Sequence, residues 1–251
     1  MSEDFLKRLD AERRKAGQPS PRGDVVRSLS PTGAECVIVY SHCAAEDLDE
    51  AIRAEIALAE AHRYALEWKV YGHDTPPTLK DRLLAAGFEP GPMESLMVIP
   101  VNPETLAAFG APAYDIRRIH DAEGLEDIAA ISREIGRKNV EVEQSRLART
   151  LEETPGEMSV YVAYHEGEPV ACARVYFTEN SEFAEMCGGR TKTAYRNRGL
   201  YTALVAARLR EALERHRRYL FVDALPTSEP ILRKRGFQLV TQTQPFVYQP
   251  G

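Results

Sequence analysis

One segment in the second half of the chain constrains the fold more than any other part of the sequence. Residues 185–201 read Glu-Met-Cys-Gly-Gly-Arg-Thr-Lys-Thr-Ala-Tyr-Arg-Asn-Arg-Gly-Leu-Tyr. This pattern predicts a strand, a short basic loop with a glycine, and then a helix whose apolar residues recur at helical spacing, at Leu200, Leu204, Leu209 and Leu213. We therefore expect a fold that combines strands and helices, in the α/β (α+β) class.

The loop between this strand and this helix has the chemistry of an anion-binding site. Gly199 lets the backbone approach a ligand closely, because a glycine has no Cβ. Free N–H groups at the helix start, together with the helix dipole, favour a phosphate. Arg196 and Arg198 add charge-assisted donors. We expect a ligand that carries a diphosphate; the alternative interpretation is two solvated arginines that flank a turn.

Composition limits the class of protein. The 251 residues suffice for one large or two ordinary domains. With 43% hydrophobic and 28% charged residues, the chain is typical of soluble globular proteins. A formal net charge of -6 argues against broad binding to nucleic acid or to an anionic membrane, and no apolar run reaches the roughly 18 residues of a membrane span. The acidic start, Met-Ser-Glu-Asp, does not resemble a signal peptide, so we expect a cytoplasmic protein.

The cysteines and histidines do not indicate a metal site, because neither set has the spacing of metal ligands. Without an export signal, the cysteines are expected to be reduced thiols, at Cys36, Cys43, Cys172 and Cys187. We therefore expect no metal.

Strand and helix patterns fill two halves of the chain. In the first half, helices are predicted at 4–16, 45–64 and 79–86, and strands at 24–30, 35–40, 66–71 and 95–101. In the second half, helices are predicted within 125–152 with a break near 137–140, and at 199–216 and 228–235; strands are predicted at 114–119, 160–164, 169–177, 183–192, 219–224 and 237–248. A connection over 102–113 predicts a boundary, which gives domains 1–112 and 113–251.

The two halves share a weakly similar pattern of elements. A strand, a short helix and a Gly-Phe pair occur at 66–88 and again at 219–237. This recurrence favours two copies of one domain. Chance is the alternative, since a glycine commonly follows a helix.

The second half resembles the GNAT superfamily of acyl-CoA-dependent N-acetyltransferases over about residues 114–248. The diphosphate motif of that family, Arg/Gln-x-x-Gly-x-Gly/Ala, falls on residues 196–201, where Tyr201 replaces the small final residue. Gly236-Phe237 is a second landmark. The resemblance implies a mixed, mostly antiparallel twisted sheet flanked by helices, preceded here by a partial GNAT-like unit.

The resemblance also implies acetyl-CoA as cosubstrate. The backbone of Gly189, Arg190 and Thr191 is then expected to pair with the pantetheine arm. The residues expected around the diphosphate are Arg196, Asn197, Arg198, Gly199, Leu200, Tyr201 and Thr202. Gly188-Gly189 has two interpretations, a bulge that opens the strand for the cosubstrate or a flexible strand interior.

Acyl transfer to an amine requires a base, because a free alkylamine with a pKa of about 10.4 is protonated near neutral pH. Glu185 is the expected base, since Phe183-Ala184-Glu185 resembles the segment that holds the base in the histone-acetyltransferase branch of the family. Glu182 is the weaker alternative, and an outward-facing structural glutamate is the other interpretation of Glu185.

The acid and the nucleophile are less defined. Many members place a tyrosine at the position of Leu232, so Tyr201 is the expected substitute acid. Tyr195 and Tyr219 are the alternatives, although packing is favoured for both. A thiolate with a pKa of about 8.5 needs little help to leave. Cys187 suggests an acyl-enzyme, but no histidine is near in sequence, and a buried strand cysteine is favoured.

The first half has no matching loop, because residues 41–47 are acidic and lack glycine. It is therefore expected to be a degenerate unit without cofactor. The expected activity is transfer of an acetyl group from acetyl-CoA to a primary amine of a small molecule or peptide, by direct attack in a ternary complex. A non-catalytic acyl-CoA-binding or regulatory module and a nucleotide-binding regulator are the alternatives, and a homodimer stays open.

Overall fold

The computed structural model describes residues 2–20, 25–30, 33–110 and 114–251. The chain divides into two compact units. Unit 1 contains the residues up to Leu96 together with Ala224–Glu229 and Gln238–Gly251, and unit 2 contains Met97–Asp223 and Pro230–Phe237. The predicted boundary between residues 112 and 113 lies outside the described residues.

Helices and strands alternate along the chain in the predicted order. The helices are α1 (Ser2–Arg13), α2 (Leu48–His62), α3 (Leu79–Ala85), α4 (Pro103–Ala107), α5 (Leu125–Glu134), α6 (Val140–Glu153), α7 (Leu200–Glu214) and α8 (Glu229–Arg233). The strands are β1 (Gln18–Pro19), β2 (Val25–Leu29), β3 (Glu35–Ser41), β4 (Ala65–Tyr71), β5 (Glu89–Pro90), β6 (Glu94–Pro100), β7 (Asp115–Ile119), β8 (Met158–His165), β9 (Glu168–Tyr176), β10 (Phe183–Thr191), β11 (Tyr219–Ala224) and β12 (Gln238–Tyr248).

The sequence missed short elements. It did not predict α4, although the pattern Asn102-Pro103 is a helix start: the side-chain oxygen of Asn102 accepts a hydrogen bond of 2.7 Å from the backbone N–H of Thr105. The two-residue strands β1 and β5 are too short to give a periodic signal. The predicted break between α5 and α6 is confirmed, and it coincides with left-handed backbone at Gly136 and Asn139.

In unit 1 the strand order is β1-β2-β3-β4-β12, and β5 also pairs with β12. β3 and β4 are parallel, and the other pairs are antiparallel. The core lies between this sheet and the helices α2 and α3, around the fully buried Trp68.

The last strand belongs to unit 1, which the sequence did not indicate. β12 pairs with β4 over six consecutive positions, from Thr243 opposite Tyr71 to Tyr248 opposite Leu66. The predicted second domain, 113–251, therefore differs from unit 2 at its C-terminal end, because these strand hydrogen bonds attach the end of the chain to the first unit.

In unit 2 the strand order is β11-β10-β9-β8-β7, with β10 and β11 parallel and the other pairs antiparallel. Successive residues of a strand point to opposite faces. Val160 and Val162 of β8 pack with α5 and α6, whereas Ala163 packs with Leu200 and Leu204 of α7. The helices α5 and α6 thus cover one face of this sheet, and α7 covers the other.

The Gly-Phe pair ends a short helix with the same geometry in each unit. Gly87 and Gly236 both have φ +90. The N–H of Phe88 donates to the carbonyl of Leu83 at 3.1 Å, and the N–H of Phe237 donates to the carbonyl of Leu232 at 3.2 Å. In each unit the helix follows a strand in a parallel pair. This agreement supports duplication rather than chance.

Candidate functional site

The parallel strands of unit 2 separate soon after they begin. Phe183, Ala184 and Glu185 of β10 lie opposite Tyr219, Leu220 and Phe221 of β11, and no later β10–β11 pair forms among the described residues. On its other side, β10 stays paired with β9 as far as Thr191. We call residues 186–191 the open edge of β10. Its backbone groups are placed to pair with an extended ligand.

A bulge interrupts β10 just beyond the point of separation. Cys187 lies opposite Arg174 and Arg190 lies opposite Cys172, so β10 has one residue more than β9 in this interval. Gly188 has φ +61, and a Cβ there would lie 2.8 Å from Cζ of Arg174. Glycine is required by both the backbone conformation and the close contact. Gly188-Gly189 thus lies in a bulge, as the first of the two interpretations requires, and the opening of the strand for a cosubstrate stays a prediction.

The segment that leads into α7, which we call the α7 loop (residues 196–199), is exposed and presents donors. Asn197 and Gly199 adopt left-handed backbone, with φ +61 and +87, and Gly199 is the N-cap of α7. The N–H groups of the first helical turn have no partner within the helix. With the guanidinium groups of Arg196 and Arg198, also exposed, this donor set fits a diphosphate.

The predicted binding residues differ in what they can offer. The side chain of Leu200 is buried, so only its backbone can serve a ligand. The ring of Tyr201 lies against β10, because a Cβ on Gly189 would be 3.1 Å from Cε2 of that ring. The bulky residue at the end of the motif thus turns toward the strand. Thr202, in the first turn of α7, is half-buried.

The side chain of Arg190 is bound inside the protein, in a cluster that we call the Glu143 clamp (Ser132, Glu143, Arg174 and Arg190). Its Nη1 and Nη2 donate to the two carboxylate oxygens of Glu143 at 2.6 and 2.7 Å, and Nη1 also lies 2.6 Å from Oγ of Ser132. Nη1 of Arg174 donates to Glu143 at 2.6 Å. Only the backbone of Arg190 remains for a ligand.

The clamp sets the charge state of Glu143. Burial raises the pKa of this carboxyl, but the hydrogen bonds from Arg190 and Arg174 outweigh burial and lower it to about 2. Sequence reasoning missed Glu143. The signal was a carboxylate on the apolar stripe of α6, between Val140 and Leu147, both buried.

Glu185 lies at the last position at which β10 pairs with β11, and it is exposed. It stands opposite Tyr176, as Cys187 stands opposite Arg174, so these side chains share the face that α5 and α6 cover. Glu182, by contrast, forms an exposed ion pair of 2.9 Å with Arg218. Of the two carboxylates, Glu185 is the one that lies on β10 where β11 separates from it.

The surroundings of two other candidate residues, Cys187 and Leu232, favour a structural role for both. Burial raises the pKa of the Cys187 thiol even though Arg174 lies beside it, so the thiol stays protonated near neutral pH. Leu232, at the position of the usual acid, is buried. Cys36, Cys43 and Cys172 are buried and form no disulfide.

The part of the chain that the structure describes contains neither a metal-binding cluster nor a helix that could span a membrane. No group of three metal-binding side chains comes together within it. Nor is any of its helices both long and apolar enough to cross a bilayer.

The parallel strands of unit 1 also separate, and a side chain of α1 contacts a residue of each strand beyond the last paired position. β3 and β4 pair as far as Ile38 opposite Trp68. Nε of Arg13, at the end of α1, donates to the carbonyl of Val39 at 2.7 Å, and its guanidinium lies 3.5 Å from the ring centroid of Tyr71. The guanidinium also bonds Asp10 at 2.6 Å.

Comparison with known proteins gives this site a context. Residues 125–237 match the family model described as the acetyltransferase (GNAT) family. No curated protein matches the sequence.

Solved structures are similar over nearly the whole chain. A GCN5-related N-acetyltransferase from Kribbella flavida is 17% identical, with a TM-score of 0.68, and the match covers 100% of this chain and 94% of that one. A tandem GNAT protein from the clavulanic acid biosynthesis pathway is 17% identical, with a TM-score of 0.63 and coverage of 97% and 88%. A functionally unknown conserved protein from Staphylococcus epidermidis is 12% identical, with a TM-score of 0.67 and coverage of 94% and 95%.

At these identities the likeness concerns the fold, and it confirms the predicted class of a mixed, mostly antiparallel sheet flanked by helices. The site described above, with its bulged strand and its exposed loop before α7, lies within the residues that the family model matches. Residues 125–237 of this chain form a domain of the acetyltransferase (GNAT) family.

Proposed function

We propose that unit 2 binds acetyl-CoA and transfers its acetyl group to a primary amine of a small molecule or peptide. The observation that carries the proposal is the open edge of β10 followed directly by the α7 loop. An extended arm with amide groups matches the side of β10 at Gly189, Arg190 and Thr191 that faces away from β9. A diphosphate at the end of that arm matches the donors from Arg196 to Thr202.

The transfer is proposed to proceed in a ternary complex. The amine nitrogen attacks the thioester carbonyl carbon, the C–N bond forms, and the C–S bond breaks. Glu185 takes the proton of the amine, directly or through a water. The sulfur leaves as the thiolate of CoA and takes a proton from Tyr201. Backbone N–H groups of the bulge near Gly188 donate to the carbonyl oxygen as it gains negative charge.

Unit 1 is proposed to bind no cofactor. Arg13 contacts Val39 of β3 and Tyr71 of β4, so the carbonyl of Val39 already has a donor. The segment before α2 lacks a glycine at the N-cap, where Asp47 stands, and its carboxylates repel a diphosphate.

A non-catalytic acyl-CoA-binding module is the second candidate. Leu232 favours it, because a buried leucine at the usual position of the acid cannot protonate the leaving thiolate. Substitution of the proposed base separates the two candidates, since only an enzyme has turnover to lose.

Glu185→Gln is expected to lower kcat by on the order of 10²- to 10⁴-fold, because the amine loses its proton acceptor. The dissociation constant for CoA is expected to stay within about twofold of wild type, since Glu185 lies outside the α7 loop. The assay follows thiol release from acetyl-CoA with a panel of primary amines, and calorimetry measures CoA binding.

Glu182→Gln is the matched control, because it removes a nearby carboxylate that already has an arginine partner. Equal thiol release by Glu185→Gln and wild type contradicts the role of Glu185. A wild-type protein that binds acetyl-CoA without releasing thiol above the uncatalysed rate supports the non-catalytic module.

A further inference from the structure

A tyrosine far away in the sequence contacts the peptide that joins Arg198 to Gly199. The phenol O–H of Tyr114, just before β7, donates to the backbone carbonyl of Arg198, 84 residues further along the chain. Its Oη and Cε2 would lie 3.9 and 4.0 Å from a Cβ built on Gly199. The phenol therefore lies directly against the α7 loop.

The ring of Tyr114 is held in place by its surroundings. It packs against an apolar cluster that includes Ala171 and Ala173 of β9 and Leu200 and Leu204 of α7. The ring cannot leave this cluster without exposing apolar surface to water. The hydroxyl is thus fixed beside the loop before any ligand arrives.

The hydrogen bond determines where the next N–H points. The carbonyl of Arg198 and the N–H of Gly199 belong to one planar trans peptide, in which these groups point in opposite directions. When Tyr114 holds the carbonyl, the N–H of Gly199 points away from the phenol and toward the exposed side of the loop. Without this hydrogen bond the peptide would rotate more freely, because Gly199 has no Cβ to restrict its φ.

The side chain of Arg198 is held as well. Its guanidinium lies 5.1 Å from the ring centroid of Tyr195, in the range of a cation–π contact. That ring in turn meets the ring of His165 edge to face, at 5.5 Å between centroids. Arg198 is therefore restrained at both its carbonyl and its guanidinium.

We propose that Tyr114 is a positioning residue for the diphosphate of acetyl-CoA. It fixes the Arg198–Gly199 peptide so that the N–H of Gly199 is aimed at the phosphate oxygens before binding. A preformed donor spares the ligand the cost of ordering the loop. This inference rests on the proposed function of unit 2.

Tyr114→Phe tests it, because the ring keeps its packing and only the O–H is lost. Calorimetry with CoA is expected to show a dissociation constant raised about fivefold, the effect of one modest hydrogen bond. With an amine that supports turnover, KM for acetyl-CoA is expected to rise by the same factor while kcat stays unchanged, since Tyr114 does not contact the reacting atoms.

Tyr161→Phe is the matched control. Tyr161 packs against the same cluster, and its phenol O–H donates to Glu211 on α7 at 2.7 Å rather than to the α7 loop. The variant removes this O–H and keeps the ring. It is expected to lower the melting temperature of the free protein at least as much as Tyr114→Phe does, with CoA affinity within about twofold of wild type. A loss of stability and a loss of affinity are thereby separated.

The outcomes are distinct. Equal CoA affinity in wild type and Tyr114→Phe overturns the inference and leaves the proposed function standing. Equal weakening by Tyr114→Phe and Tyr161→Phe also overturns it, because the effect is then a general loss of rigidity. A wild-type protein that gives no heat with CoA overturns the proposed function, and the inference with it.

Discussion

Glu143 is the one carboxylate of the clamp and faces two guanidinium groups, those of Arg174 and Arg190. The three side chains are 17%, 9% and 8% exposed. Charges removed from water to this degree stabilise a fold only when they are paired and hydrogen-bonded. The pairing joins α6 to both strands at the bulge, so the clamp is the residue-level support of the geometry at Gly188.

Glu143→Gln is expected to lower the free energy of unfolding by about 3 kcal/mol, because it leaves two buried guanidinium groups without a counter-charge. Urea unfolding followed by circular dichroism at neutral pH measures the change. Glu141→Gln is the control on the same helix: its side chain is 74% exposed, and the expected change is within about 0.5 kcal/mol.

The contribution of Glu143 to the free energy of unfolding is expected to depend on pH. The pKa of Glu143 is lowered in the folded protein, from 4.5 to about 2. Its contribution to stability is therefore present above the unfolded pKa and is lost as the pH falls toward the folded value. The difference between wild type and Glu143→Gln should shrink between about pH 5 and pH 2; a difference that stays constant over this range contradicts the assigned ionisation.

Contacts such as these could not be read from the sequence. Glu143 meets Arg190 across 47 residues and Tyr114 meets Arg198 across 84. Local periodicity carries no information about such pairs, which depend on how the strands are ordered in the sheet. The α7 loop was predictable because strand, glycine loop and helix follow one another directly.

At the scale of elements, α1 contributes a side chain that completes the sheet of unit 1. Phe5 and Leu9 are buried, which anchors the helix. Nε of Arg13 donates a hydrogen bond to the carbonyl of Val39, and its guanidinium forms an ion pair of 3.4 Å with the carboxylate of Asp74. The sequence predicted this helix, but its few apolar residues among many charges did not show that one of the arginines is buried.

Arg13→Met is expected to destabilise unit 1 by about 3 kcal/mol, because the buried carboxylate of Asp74 loses its cation and the carbonyl of Val39 loses its donor. Thermal unfolding and limited proteolysis, read by the fragments released, measure the effect. Arg14→Met is the control: Arg14 is exposed and lies 4.9 Å from the ring of Tyr40. Equal melting temperatures for the two variants contradict the role of Arg13.

At the scale of the whole molecule, the difference between the two units leads to an expected number of CoA molecules bound per chain. Calorimetry is expected to give one CoA per chain, since only unit 2 has the glycine loop. Gly199→Glu is expected to abolish the heat, because a side chain at φ +87 strains the loop and the carboxylate repels the diphosphate. A stoichiometry of two contradicts the assignment of unit 1.

Gly87→Glu is the matched control for that experiment. It places the same side chain on left-handed backbone, at φ +90, but in unit 1. It is expected to cost similar stability and to leave one CoA site intact. Loss of binding in both variants shows that the effect is unfolding rather than repulsion at the loop.

The position of β12 has a consequence for biosynthesis. The ribosome synthesises the chain from its N-terminus. β4, at Ala65–Tyr71, therefore emerges long before β12, at Gln238–Tyr248, the strand with which it pairs. The residues that form unit 2 are complete by Phe237, so this unit can fold while the first sheet still lacks a neighbour. The first half to be translated is thus the last to be finished.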